Sequence, residues 1–183
     1  MCFREPAVQP LVAEPIRTPR LDLLPLRVEH AEEMAAVLSD PALHTFVGGA
    51  PHSPAALRTR YRRLVAGSPD PDVSWCNWVL RPREEERLVG TVQATVTRRH
   101  TAEIAWVVGT PWQGRGFASE AARALVAELG RSVGTIVAHI HPGHLASAAV
   151  AAAAGLAPTD EEQDGEQRWR LVLPGPAGRI VGL

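Results

Sequence analysis

Val107-Val108-Gly109-Thr110-Pro111-Trp112-Gln113-Gly114-Arg115-Gly116-Phe117-Ala118-Ser119-Glu120 runs from an apolar strand through a glycine-bearing turn into the start of a helix. Such a turn suits phosphate. Glycines let the main chain approach a ligand with no Cβ in the way. The first helical turn leaves N–H groups unpaired and pointing outward, and the aligned peptide dipoles favour an anion there. Two other phosphate-binding patterns fail on the same residues. Gly114-x-Gly116 could open a dinucleotide fingerprint, but Ser119 stands where its third glycine belongs. The segment also follows an antiparallel meander instead of opening a βαβ unit, and the next strand ends in histidines where the ribose needs an acid. A P-loop is excluded because the chain contains no lysine.

Upstream of the turn, Thr101 to Val108 reads as a strand. Before it, Val73 to Leu80 and Leu88 to Val96, rich in Trp, Val and Thr, read as an antiparallel hairpin. Arg81 to Arg87 joins that hairpin, and Arg98-Arg99-His100 turns into the third strand. Nearer the N-terminus, Leu21 to Arg27 is a short first strand. Glu29 to Leu38 carries Ala31, Met34, Ala35 and Leu38 at helical spacing. Ser53 as N-cap and Pro54 at the first helical position open a second helix to about Ala66, with Arg58, Arg60, Arg62 and Arg63 facing solvent. Downstream, Phe117 to Leu129 buries Ala121, Ala124, Leu125 and Leu129 on one face and stops at Gly130. Ile136 to Ile140 is the next strand, and Leu145 to Ala154 an alanine-dense helix closed by Gly155. A terminal hairpin follows, with acidic Asp160 to Glu166 as its turn and Trp169 to Leu173 as its last strand.

The chain has 183 residues, enough for one domain with a core of its own. Hydrophobic residues make up 45% and charged ones 21%, the balance of a globular chain and not of a disordered one. A net charge of −1 offers no electrostatic footing for nucleic acid, whose binding is driven by a strongly basic surface. Cys2 and Cys76 are far apart and lack metal-ligand spacing, as expected for reduced thiols, and no metal site is expected. No run approaches the ~18 apolar residues of a membrane span. Glu5, Glu14 and interspersed prolines break up any apolar leader near the start. The expected location is cytoplasmic, with neither nucleic acid nor membrane as a partner.

The spacing Gln113-x-x-Gly116-x-Ala118, with Val108 five residues before the glutamine, resembles the acyl-CoA pyrophosphate loop of the GNAT N-acetyltransferase superfamily. The resemblance spans about residues 18 to 173 and is most specific between Glu103 and Leu156. It implies an α/β fold: a mixed, largely antiparallel sheet with helices on both faces. It divides the chain into an N-terminal arm (1–17), the acyltransferase domain (18–173) and a C-terminal tail (174–183). It implies coenzyme A as the cofactor, delivered as acetyl-CoA. Amides from Gly114 through Arg115, Gly116, Phe117 and Ala118 to Ser119 would take the pyrophosphate, Arg115 adding charge or staying solvated. Val107 and Val108 would offer main-chain hydrogen bonds to the pantetheine arm. A second signature of the family is a helix that begins Asn-x-x-Ser and ends Gly-Phe. Here it reads His144-Leu145-Ala146-Ser147 and Gly155-Leu156, with histidine in place of asparagine and His144 and Ser147 as cofactor-binding candidates.

Acetyl transfer requires a neutral amine, so a base must take its proton, while main-chain N–H groups can hold the oxyanion. Glu103 is the first choice, because relatives of the ribosomal-protein alanine N-acetyltransferase branch carry a carboxylate in that context. His139 and His141 compete, alternating onto one face of the strand before the second signature, and histidine titrates in the useful range unaided. Where many family members place a tyrosine acid, this chain has Ala151. The sole tyrosine, Tyr61, lies in the second helix, which leaves Ser147, a water or direct thiolate release. The acidic run Asp160, Glu161, Glu162, Asp164 and Glu166 either attracts a cationic acceptor or is a solvated turn. The resemblance implies transfer of an acetyl group to an amine, on a protein N-terminus or a small molecule, by a chain that can form a homodimer. Its pocket would be shaped by Thr45 to Ser53, the second helix and the last hairpin. The alternatives are another acyl donor such as succinyl-CoA, or a non-catalytic acyl-CoA-binding sensor.

Overall fold

In β3 (Val73–Pro82), Cys76, Trp78 and Leu80 point to one side of the sheet and Val79 to the other, and all four are buried. A strand apolar on both sides needs cover on both. In the computed structural model, which describes residues 10–46, 48–97 and 100–174, helices supply it. On the Val79 side lie α1 (Ala31–Val37) and α2 (Pro54–Ala66), which bury Met34, Ala35, Leu57 and Tyr61. On the Trp78 side lie α3 (Phe117–Leu129) and α4 (Leu145–Ala153), bringing Phe117, Ala121, Leu125, Leu129 and Ala151.

The other strands are β1 (Ile16–Arg17), β2 (Leu21–Pro25), β4 (Gly90–Thr97), β5 (Thr101–Val108), β6 (Thr135–Ile140), β7 (Ala157–Gln163) and β8 (Glu166–Val172). Together with β3 they form one sheet in the order β1-β2-β3-β4-β5-β6-β8-β7. Every neighbouring pair is antiparallel except β5 and β6. This is the mixed, largely antiparallel α/β sheet with helices on both faces that the sequence predicts. β5 and α3 keep the predicted bounds, and Ser53 caps α2 by accepting from the Ala56 amide.

Three expectations change. The helix read from Glu29 begins as a 3-10 turn, Val28–His30, and only then becomes α1. The terminal hairpin turns at Asp164-Gly165, both at positive φ, so Asp160 to Glu162 belong to β7 and not to the turn. Glu162 pairs with Gln167 on β8, and Asp160 and Glu161 lie in the irregular register between Pro158 and Glu162. In the N-terminal arm, residues 10–17 pack along the sheet. Leu11 N donates to Ser74 Oγ, and the Trp78 indole N–H donates to the Glu14 carbonyl at 2.7 Å. Cys2, the arm before Pro10, Arg98-Arg99 and the tail after Pro174 lie outside the described residues. Cys76 is a free, buried thiol, pushed up by burial to about 11. Among the described residues no helix is long and apolar enough to cross a membrane, and no cluster could hold a metal.

Candidate functional site

The parallel pair is short. β5 and β6 are joined at Thr101↔Thr135, Ala102↔Ile136 and Glu103↔Val137. Beyond that point β5 continues on β4, up to Val108↔Gly90, and β6 continues on β8, up to Ile140↔Gln167. The sheet therefore forks after Glu103. Hydrogen-bond direction alternates along a strand. The Gly109 amide donates across to Val89 beside β4, and the His100 carbonyl accepts from Gly134 and Thr135 on the β6 side. By that alternation Trp106 and Val108 turn their main-chain groups into the fork, and Val107 turns its own toward β4. Of the two valines expected to face the pantetheine arm, Val108 is so directed. Its carbonyl already accepts from Gln113 Nε2 at 3.0 Å, which ties the turn to the strand end.

Past a short 3-10 turn, Thr110–Trp112, the chain runs through Gly114 at φ 72° and Gly116 at φ 80°. Left-handed backbone is where glycine is needed. Gly116 is the N-cap of α3 and offers no side-chain cap; the first helical bond is from the Glu120 amide to its carbonyl. The amides of Gly114, Arg115, Gly116, Phe117, Ala118 and Ser119 thus find no acceptor among the described residues, a concave run of donors at the positive end of a helix dipole. Charged neighbours brace the turn. Arg20 donates through Nη1 to the Arg115 carbonyl and through Nε to Glu120, and stacks on the Phe117 ring. Arg115 flanks the same ring from 4.8 Å, but its guanidinium is held by Glu85 at 2.5 Å. That contact and the Trp112 indole keep the Glu85 carboxyl below the usual range. The arginine expected to serve phosphate is therefore already paired.

Across the fork, His144 is the N-cap of α4. Its Nδ1 accepts from the Ser147 amide at 3.4 Å, and its ring stacks on Phe46 with centroids 4.4 Å apart. Burial, then the nearby His141, push its pKa down, so it accepts as a neutral ring. The half-buried Ser147 hydroxyl has no partner among the described residues. Ala151 is fully buried in the core. Tyr61 is 3% exposed, its hydroxyl lacks a partner among the described residues, and burial pushes it up to about 12, so it cannot replace the missing acid.

The two base candidates come together. Glu103 and Val137 are register partners, so Glu103 and His139, two residues on, point to the same face, the one α1 and α2 cover elsewhere. His139 Nδ1 lies 3.2 Å from Glu103 Oε1. The histidine side chain is 16% exposed and the glutamate 56%, as befits a mostly covered ring beside an open carboxylate. His141 does not join them. β6 ends at Ile140, and the His141 ring turns to Phe46, its Nδ1 accepting from the Gly143 amide. Sequence reasoning missed Phe46, Arg20 and Glu85, whose roles rest on contacts between distant segments.

Two recesses lie on the α1–α2 face. A cleft of about 470 Å³ beneath the end of α1, lined by Glu33, Asp40, Leu88, Thr110 and Trp112, touches neither Glu103 nor His139. A smaller one of about 110 Å³, lined by Arg60, Trp75, Asn77, Gln93 and Thr95, opens one strand from Glu103, which pairs with Thr95.

Residues 20–157 match the model of the acetyltransferase (GNAT) domain. No curated protein matches the chain. Among solved structures it is similar to an acetyltransferase from Salmonella typhimurium that modifies the N-terminal serine of the 50S ribosomal protein L7/L12. There the TM-score is 0.72 at 15% identity, covering 88% of this chain and 100% of that one. RimL, a ribosomal L7/L12 alpha-N-protein acetyltransferase solved with coenzyme A, gives 0.73 at 16% identity, covering 87% and 98%. The microcin C7 self-immunity acetyltransferase MccE, solved with acetyl-CoA and AMP, gives 0.71 at 16%, covering 85% and 94%. At such identities these likenesses concern the fold.

Proposed function

The chain belongs to the GNAT acetyltransferase family, and we propose that it transfers the acetyl group of acetyl-CoA to an amine. One observation carries the reading: the run of unpaired amides from Gly114 to Ser119, held open by two left-handed glycines, at the mouth of a forked sheet. A pyrophosphate matches such a donor set in charge and spacing. Trp106 and Val108 would receive the pantetheine arm as an added strand, and His144 and Ser147 would flank it from α4. When bound, acetyl-CoA supplies a carbonyl carbon activated by thioester linkage. The chain's own contribution is to position it, exclude water and manage the acceptor's proton at Glu103 and His139. The acceptor approaches from the α1–α2 face, where those side chains lie. It is a protein N-terminus, as acted on by the similar structures from the ribosomal branch, or a small-molecule amine. Residues 18–173 form the acting domain, in the cytoplasm, with a homodimer compatible with the same reading.

Isothermal calorimetry with coenzyme A tests the first half, and thiol release from acetyl-CoA across a panel of amines and N-terminal peptides tests the second. Expected are saturable binding and amine-dependent release. The absence of a tyrosine acid, with Ala151 in its place and Tyr61 buried, favours a second reading, a non-catalytic acyl-CoA sensor. Binding without release from any amine would select it; no heat on adding coenzyme A would end both.

A further inference from the structure

The geometry points to His139, not Glu103, as the group that takes the acceptor's proton, with Glu103 a positioning residue that acts through it; this rests on the acetyl-transfer reading above. The contact at 3.2 Å joins the Glu103 carboxylate to Nδ1. A carboxylate only accepts, so Nδ1 carries the hydrogen and the lone pair of the neutral ring is on Nε2. Nε2 makes no hydrogen bond to any described residue and is left to serve a ligand. The Glu103 side chain is more than half exposed, whereas the His139 ring is largely covered. Both stand where β5 and β6 part, beside the gap assigned to the pantetheine arm.

The step balances without a further partner. As the acceptor nitrogen bonds to the acetyl carbon and the C–S bond breaks, the electron pair leaves on sulfur. Nε2 takes the N–H proton and then returns it to the thiolate, giving amide, free thiol and a neutral histidine. One residue thus serves as base and acid, in a chain whose Ala151 and Tyr61 offer no tyrosine for the second task. Several charges face His139. Glu103 stands beside it on β5, and Arg168, the register partner of His139, stands on β8. Arg170 stands opposite Val137, and Glu161 on β7 pairs with both arginines. His141 lies beyond the end of its own strand. Among the described residues Glu103 is the one charge bonded to the ring.

The test pairs a pH profile of kcat with a proton NMR titration of His139 in wild type, Glu103→Gln and His139→Gln. In Glu103→Gln a neutral amide replaces the anion beside the ring, so the NMR titration of His139 and the acid limb of kcat move together to lower pH. kcat falls about tenfold with KM for acetyl-CoA unchanged. His139→Gln loses on the order of 10²-fold or more in kcat, and its acid limb disappears. The inference is overturned if His139→Gln keeps the wild-type limb while Glu103→Gln abolishes it, or if the NMR pKa does not move. Should wild type show no amine-dependent turnover, acetyl transfer itself fails, and the NMR shift still decides whether the pair is coupled.

Discussion

Removing one carboxylate at the first turn of α3 should loosen the N-terminal segment from the Gly114–Gly116 turn. Glu120 accepts from the Thr18 hydroxyl at 2.6 Å, from the Arg20 amide at 2.8 Å and from Arg20 Nε at 2.7 Å. Its side chain is 13% exposed. In Glu120→Ala these three donors lose a charged acceptor, but not equally. The Arg20 groups are exposed and turn to water, so that pair contributes at most about 1 kcal/mol. The Thr18 hydroxyl is buried but can redirect to the Leu21 carbonyl at 3.1 Å, which limits its loss to about 1 to 1.5 kcal/mol. An acid in the first turn adds about 0.5 kcal/mol through the helix dipole. The sum is about 1.5 to 3 kcal/mol, a Tm lower by about 3 to 12 °C for a domain of this size. Urea melts followed by circular dichroism should show a lower midpoint at unchanged slope. Partial burial alone would raise the Glu120 pKa, but the Thr18 and Arg20 bonds lower it further. A depressed folded pKa means that this stabilisation is present above the unfolded glutamate value, about 4.3, and is lost as pH falls through the folded one. The gap between wild type and variant should be constant at neutral pH and close below about pH 4. A variant within 0.5 kcal/mol of wild type at pH 7, or a gap indifferent to acid, would refute the latch.

Gly116→Ala forces a side chain into left-handed backbone at about 1–2 kcal/mol and sets a Cβ 3.3 Å from Arg20 Nη2. Coenzyme A affinity by calorimetry should drop about tenfold, and an unaltered Kd would remove the turn from the binding site. Arg115→Ala should leave that affinity within about threefold, because Glu85 already holds the guanidinium; a much larger loss would place the arginine on the phosphates. Tyr61→Phe deletes a buried hydroxyl without a partner, so thiol release should match wild type and stability should hold or rise by up to about 1 kcal/mol. With the tyrosine pushed up to about 12, wild type loses more stability than the variant as pH climbs past the ordinary tyrosine value, the loss from the buried Cys76 thiol being common to both. Reduced thiol release in Tyr61→Phe would bring the tyrosine back into the reaction.

Legibility followed the range of the forces. β5 and α3 were readable to the residue because alternation, helical spacing and glycine punctuation are local. The glycine turn before α3 was readable for the same reason, whereas Glu103 came forward through the family resemblance and His139 through alternation along β6. Their pairing was not readable, since it depends on the single parallel register between β5 and β6. β7 was hidden by its acids, two of which, Asp160 and Glu161, lie in an irregular register between the pairs Pro158↔Trp169 and Glu162↔Gln167. The pairing of Arg115 with Glu85 and the stacking of Phe46 on His144 join segments far apart in the chain, where periodicity carries no signal.

The sheet's outer margins also shape how the molecule meets its own kind. One margin, β1, is two residues long. The other, β7, carries Asp160, Glu161 and Glu162 in succession, so two copies approaching rim to rim bring like charges together. Fibril-like stacking is discouraged at both ends, while the central cleft between Val108 and Ile140 stays receptive. A sheet that repels strangers along its borders can keep main-chain donors bare in its middle without inviting aggregation.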